Sequence, residues 1–221
     1  VASADDEKNG SLQRNLKEET RMRKLALLIG AGAAFALTMS ASADLLISNW
    51  PGNDGSQTAA INDGSRTKGM GFTMPGGTGY YLDGVLARLN ITDVNVQPVF
   101  EMFSDAGGPG TSLMVLDSPG GYTLGIGDYT FTPPSQFTLD PGTTYWIVAS
   151  AAGAATYDWK ASSPSQTPTG LATHVGATFG AYPPRNTSSI LVTYELYGTL
   201  IPAPSSLALL GLGGLAHRRR R

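Results

Sequence analysis

The sequence predicts an all-β fold, a single antiparallel β-sandwich of jelly-roll type, with an N-terminal signal helix before it and a short C-terminal apolar helix after it. Three observations carry that prediction. From Asp44 onward, short runs rich in Val, Ile, Thr, Tyr and Trp alternate with clusters of Gly, Pro, Asn and Asp, which is how strands and turns are punctuated. The chain holds 28 Gly and 14 Pro with only 14% charged residues, a composition suited to many tight turns. No window of residues 44–200 shows an apolar stripe at helical period, and strands without intervening helices close into a sandwich or, as the other solution, a barrel.

In chain order, residues 1–21 are polar and highly charged, with no apolar period to drive packing. They read as a disordered extension or as an upstream over-extension of the reading frame, with translation beginning at Met22. Arg23 and Lys24, the apolar run 25–39 and the small-residue end Ala41-Ser42-Ala43 make residues 22–43 a secretory signal peptide. Signal peptidase is expected to cut between Ala43 and Asp44. Inside this segment Gly30-Ala31-Gly32 follows Leu27, Leu28 and Ile29, imitating the opening of a dinucleotide-binding turn. The third glycine and the downstream ribose-binding acid are missing, so that reading fails.

Residues 44–200 form the predicted sandwich domain, with strands near 45–50, 68–74, 80–91, 96–103, 113–116, 129–132, 144–150, 156–161 and 190–200. In the third of these, Val85, Ala87, Leu89 and Ile91 alternate with Leu86, Arg88 and Asn90, one face mainly apolar and the other mixed. In the last, Ile190, Val192, Tyr194 and Leu196 alternate with Leu191, Thr193, Glu195 and Tyr197. The chain has no cysteine, so the domain relies on its core alone, and a body of this size buries enough surface for that.

Residues 201–221 read as an address. Ile201-Pro202-Ala203-Pro204-Ser205-Ser206 leads into the apolar run Leu207 to Ala216, then His217 and Arg218, Arg219, Arg220 and Arg221. At about 1.5 Å per residue the apolar run makes a helix of roughly 15 Å, about half of a bilayer's hydrocarbon thickness. Four arginines would hold the C-terminus on the cytoplasmic side. The proline pair, short apolar helix and terminal arginine cluster together resemble the PEP-CTERM sorting signal of Gram-negative, exopolysaccharide-producing bacteria, with Ala203 where that signal carries glutamate. The resemblance implies transient contact with the inner membrane and processing near Pro202 and Pro204 by an exosortase-type membrane enzyme.

A second resemblance lies in the body: Gly71-Phe72-Thr73, Tyr81-Leu82-Asp83-Gly84-Val85, Phe100 to Pro109-Gly110, and Leu139-Asp140-Pro141-Gly142-Thr143-Thr144-Tyr145-Trp146-Ile147-Val148. The last piece orders a strand, a Pro-Gly turn and a strand with two adjacent aromatics on opposite faces. These residues resemble the choice-of-anchor domains of bacterial surface proteins. The resemblance implies export, surface placement and β architecture, and no activity.

The formal charge is −2, but residues 44–200 contain twelve Asp or Glu and five Lys or Arg, a net −7 for the body. An acidic body without a basic patch argues against nucleic acid as a partner. The sequence points away from an enzyme and assigns no catalytic residue. Outside the tail His174 is the one histidine, in a Gly/Thr-rich stretch that reads as a solvated loop, and no nucleophile elbow or zinc motif accompanies it. No cofactor is called for. Calcium is the one ion the acidic turns Asn53-Asp54-Gly55, Asn62-Asp63-Gly64 and Asp105-Ala106-Gly107-Gly108 would suit, although turn geometry alone explains such sequences. Trp50, Tyr145, Trp146, Tyr157 and Trp159 are either core or a stacking platform for exopolysaccharide. Tyr157 and Trp159, on one strand face with Asp158 opposite, are the candidate sugar-binding pair. The expected role is that of a secreted surface or extracellular-matrix protein, structural or interacting, with a carbohydrate-binding module as the alternative.

Overall fold

The computed structural model describes residues 42–50 and 57–202. The extension 1–21, the signal segment through Ala41, the Asn53-Asp54-Gly55 turn and the tail from Ala203 lie outside the described residues.

The described residues are all-β, with no helix, and make two antiparallel sheets. In chain order the strands are β1 (Ala43–Ser48), β2 (Gln57–Ile61), β3 (Thr67–Thr73), β4 (Tyr80–Ile91), β5 (Gln97–Asp105), β6 (Pro109–Val115), β7 (Gly125–Phe131), β8 (Thr138–Leu139), β9 (Thr144–Ala152), β10 (Tyr157–Ala161), β11 (Thr169–Gly170), β12 (Thr173–Gly180), β13 (Asn186–Thr187) and β14 (Tyr194–Leu200). All nine strands expected from the sequence are present. Five short or glycine-rich strands, β2, β8, β11, β12 and β13, add to them, and the first part of the 190–200 run lies outside β14.

One sheet runs β11-β1-β14-β4-β10-β2, with β7 and β8 also paired to β4. The 12-residue β4 is its backbone: β14 takes Tyr80 to Ala87 and β10 takes Leu89 to Ile91, while β7 covers Val85 to Ile91 on the opposite edge. The other sheet runs β13-β12-β3-β9-β5-β6. The last strand, β14, lies between β1 and β4, so Ala43 pairs with Thr199 and Ser48 with Glu195.

The alternation read from β4 is the one observed, since Val85, Ala87, Leu89 and Ile91 are buried and Leu86, Arg88 and Asn90 are only partly so. These buried residues join Met70, Phe72, Phe100, Met102 and Ile147 of the other sheet in one core. Phe100 of β5 links the sheets, stacking on Phe131 of β7 at 4.0 Å between centroids and meeting Trp159 of β10 edge-on at 4.9 Å.

The Pro-Gly turn transfers the chain from one sheet to the other. Thr143 N donates to Asp140 O at 3.3 Å, with Pro141 at the second position and Gly142 third at φ 67°, a backbone angle that only glycine adopts without strain. Beyond it the two adjacent aromatics part as expected: Tyr145 enters the main core, and Trp146 joins Phe103 and Val148 in a second cluster on the other face of the sheet. Gly71 on neighbouring β3 lets that indole lie flat, since a Cβ there would come within 2.9 Å of it.

Candidate functional site

Tyr157 and Trp159 lie on one face of β10, but that face is the core face. They are 1% and 0% exposed, so the expectation of a sugar platform built from them is corrected. Their polar atoms serve the fold: Tyr157 Oη donates to Ser150 O at 2.9 Å, and Trp159 Nε1 donates to Thr193 O at 2.8 Å. Neither ring has a face left for a ligand. Tyr145 and Trp146 are buried as well.

Trp50 alone of the five aromatics stays partly exposed. It follows β1, whose end is fastened by the buried Asn49: Nδ2 donates to Val192 O at 2.8 Å and to Gln166 O at 3.2 Å, and Oδ1 accepts from Tyr194 N at 3.0 Å. The Arg88 guanidinium lies 3.8 Å from the Trp50 ring centroid and grips Asp128 with two bonds of 2.9 and 3.1 Å. At this exposure the ion pair is worth about 1 kcal/mol at most. Its consequence is geometric, because it fixes the guanidinium over the indole. Beside it Ser48 Oγ donates to Glu195 at 2.9 Å, Tyr197 Oη donates to the same carboxylate, and Asn90 donates to Asp158 at 3.0 Å. This face of the β4 sheet therefore presents one half-exposed indole among ordered carboxylates and hydroxyls.

The other sheet carries a similar cluster. Glu101 accepts from Tyr182 Oη at 2.8 and 2.9 Å and from Ser112 Oγ at 2.7 Å, while the Tyr182 ring stands edge-on to Phe103. Burial, reinforced by the hydrogen bond and charge of the neighbouring glutamate, pushes Tyr182 and Tyr197 each up to about 12. A phenol held neutral in this way donates to its carboxylate and is a poor base or nucleophile at neutral pH.

His174 departs from its expected loop. It sits on β12 opposite Phe72, half-buried, and its Nδ1 is buried without a partner. Burial holds its pKa below the usual histidine range, against a smaller upward effect from the Gly71 backbone, so the ring is neutral at physiological pH. In two of the acidic turns one side-chain oxygen is already engaged. Asn62 Oδ1 accepts from Arg66 N at 2.6 Å, and Asp105 Oδ1 accepts from Trp146 Nε1 at 2.7 Å and from Gly108 N at 3.3 Å. The Trp146 bond is the main reason the Asp105 carboxyl lies below its ordinary pKa. Among the described residues no three His, Cys, Asp or Glu side chains gather as metal ligands would.

Of the processing residues, Ala43 and Asp44 open β1, opposite Thr199 and Gly198. Pro202 is exposed one residue beyond Ile201, whose N–H donates to Gly79 O at 3.0 Å as the last backbone bond among the described residues. Ala41, Ala203, Pro204 and Arg218 to Arg221 fall outside the described residues.

One feature had no counterpart in the sequence reading. Lys68 is 2% exposed, and its Nζ donates to Ser188 Oγ with no carboxylate in range among the described residues. Desolvation lowers its pKa to about 8. The signal was present in the 68–74 run, where Lys68, Met70 and Phe72 of β3 and Met74 just beyond it follow one another at period two, a lysine in line with three apolar residues. Comparison of the chain with protein-family models, with curated proteins and with solved structures finds no match.

Proposed function

We propose that the chain is an exported bacterial surface or extracellular-matrix protein with a structural or interaction role. In this reading its body is a jelly-roll-like β-sandwich of choice-of-anchor type, and its tail is a PEP-CTERM-type sorting signal. The observation that carries the reading is where the domain's ends lie. Ala43 pairs with Thr199, so the expected signal cleavage point lies beside the end of β14, three residues before Pro202. Among the described residues the Ile201 N–H makes the last backbone bond to the body and Pro202 beyond it is exposed, and prolines at 202 and 204 disfavour a helix of the kind a protease could not thread. Signal peptidase would act after Ala43. The apolar run, backed by Arg218 to Arg221, would hold the chain transiently at the inner membrane while an exosortase-like enzyme cuts.

Mass spectrometry of the surface and medium fractions of a producing cell tests this. The expected mature chain begins at Asp44 and ends near the proline pair. Chains that keep residues 1–21, or that still end at Arg221 as the main species, would refute it.

A second reading, a carbohydrate-binding module, is favoured by the partly exposed Trp50, whose ring meets Arg88 and whose backbone N–H donates to Ser48, the residue that also holds Glu195, since aromatic faces near carboxylates and hydroxyls suit sugar rings.

A further inference from the structure

We propose that the cavity between β2 and the β12–β13 edge binds a carboxylate-bearing sugar, a hexuronate, with Lys68 meeting the carboxylate and Phe179 the ring. β2 is the last strand of one sheet and β13 the last strand of the other, and the cavity of about 520 Å³ lies between these edges. That volume falls within the range of small-molecule sites and exceeds what a simple inorganic anion fills.

Charge selects the ligand class. A buried ammonium has three donors and ordinarily meets a carboxylate, because desolvating an unpaired charge is costly. Lys68 has one neutral partner, Ser188, which also lines the cavity. Arg66 is the only other titratable side chain on the lining, and no Asp or Glu lines it. In a body of net charge −7, this is a place where an anion meets cations and no acid.

Shape and polarity select the rest. Phe179 pairs with Lys68 in register across β12 and β3, so ring and ammonium stem from the same face of adjacent strands. The ring is 49% exposed and lines the cavity with the partly exposed Ile190, which gives an apolar surface for the C–H face of a pyranose. Thr58 and Ser188 contribute hydroxyls suited to the sugar's own.

This inference goes beyond the export reading and stands without it, since the purified chain binds or does not bind whatever becomes of its ends. It also differs in place from the Trp50 face. Binding lost on altering Trp50 but not Lys68 would belong to that other surface and count against the cavity.

Isothermal titration of the full-length chain with galacturonate, with galactose as its neutral counterpart and with inorganic phosphate, is the test. Galacturonate is expected to bind at least about tenfold more tightly than galactose, the effect of one charge-assisted contact, and also more tightly than phosphate, which has the charge but no ring to meet Phe179. Lys68→Met should weaken galacturonate binding by about tenfold or more. Phe179→Ala, at an exposed position where folding is little affected, should weaken it several-fold. Above about pH 8, where Lys68 releases its proton, affinity should fall about tenfold per pH unit; Arg66 stays charged throughout, so the fall disappears in Lys68→Met. The proposal is overturned if galacturonate does not bind, if galactose or phosphate matches it, or if both variants retain the wild-type affinity.

Discussion

Lys68→Met in the ligand-free protein should make the domain more stable. Burial lowers the lysine from 10.5 to about 8. At about 1.4 kcal/mol per unit, that shift corresponds to a cost of roughly 3 kcal/mol. Because the folded value lies below the unfolded one, the unfolded chain takes up the proton first. The cost is therefore fully present below about pH 8 and fades as pH rises from there through 10.5. Methionine has nearly the same reach and no charge. What it gives up is the bond to Ser188, about 1 kcal/mol. Ser188 stays satisfied, because its Oγ also accepts from Ile190 N at 3.2 Å. The net gain at neutral pH is about 2 kcal/mol, or about 4 to 8 °C in Tm for a domain of this size. Urea unfolding at pH 7 and again at pH 10 measures it, and the gain should shrink at the higher pH. A variant less stable than wild type at pH 7, or equally stabilised at both, would refute the claim that burial of an uncompensated ammonium depresses Lys68.

Asn49→Ala removes the partners of two buried backbone groups, Val192 O and Tyr194 N, and should cost about 2 to 4 kcal/mol, read from the shift in urea midpoint at unchanged slope. The tyrosines set an alkaline limit. Tyr182 and Tyr197 titrate near 12 when folded and near 10 when unfolded, so the stability they contribute is complete below pH 10 and is lost as pH rises from 10 to 12. The urea midpoint should fall through that window, and a Tyr182→Phe, Tyr197→Phe double variant should flatten the fall, with phenolate absorbance following the two groups directly.

The all-β character was legible because β4 and β14 each bury one face, which writes period two into the sequence, while β9, buried on both faces, shows instead as a short continuous run of Tyr, Trp, Ile and Val. β12 was missed for a physical reason. A bulge between His174 and Gly176 breaks its alternation, and its glycines read as loop, which is also why His174 was placed in solvent. β2 has one fully buried apolar residue, Ile61, too little to mark a strand. Period two showed that Tyr157 and Trp159 share a face, but it cannot say which face meets the core. That is decided by β10 lying between β4 and β2, with Phe100 packed over it. The Glu195–Ser48 contact joins residues 147 apart in sequence, and no local pattern could announce it.

The pairing of Ala43 with Thr199 also sets the direction in which the domain is mechanically weakest. Two antiparallel neighbours whose free ends leave at the same edge come apart, when those ends are pulled in opposite directions, like a zipper. The load falls on the Ala43–Thr199 rung, then on Asp44–Gly198, then on Leu45–Tyr197, one after another. Had the ends left at opposite edges, the same force would have met the whole β1–β14 ladder in shear. A domain held only by Ile201 and the chain beyond it never loads that zipper, because β1 then carries no tension. Any tether through the C-terminal end alone therefore keeps the easiest line of rupture out of the path of force.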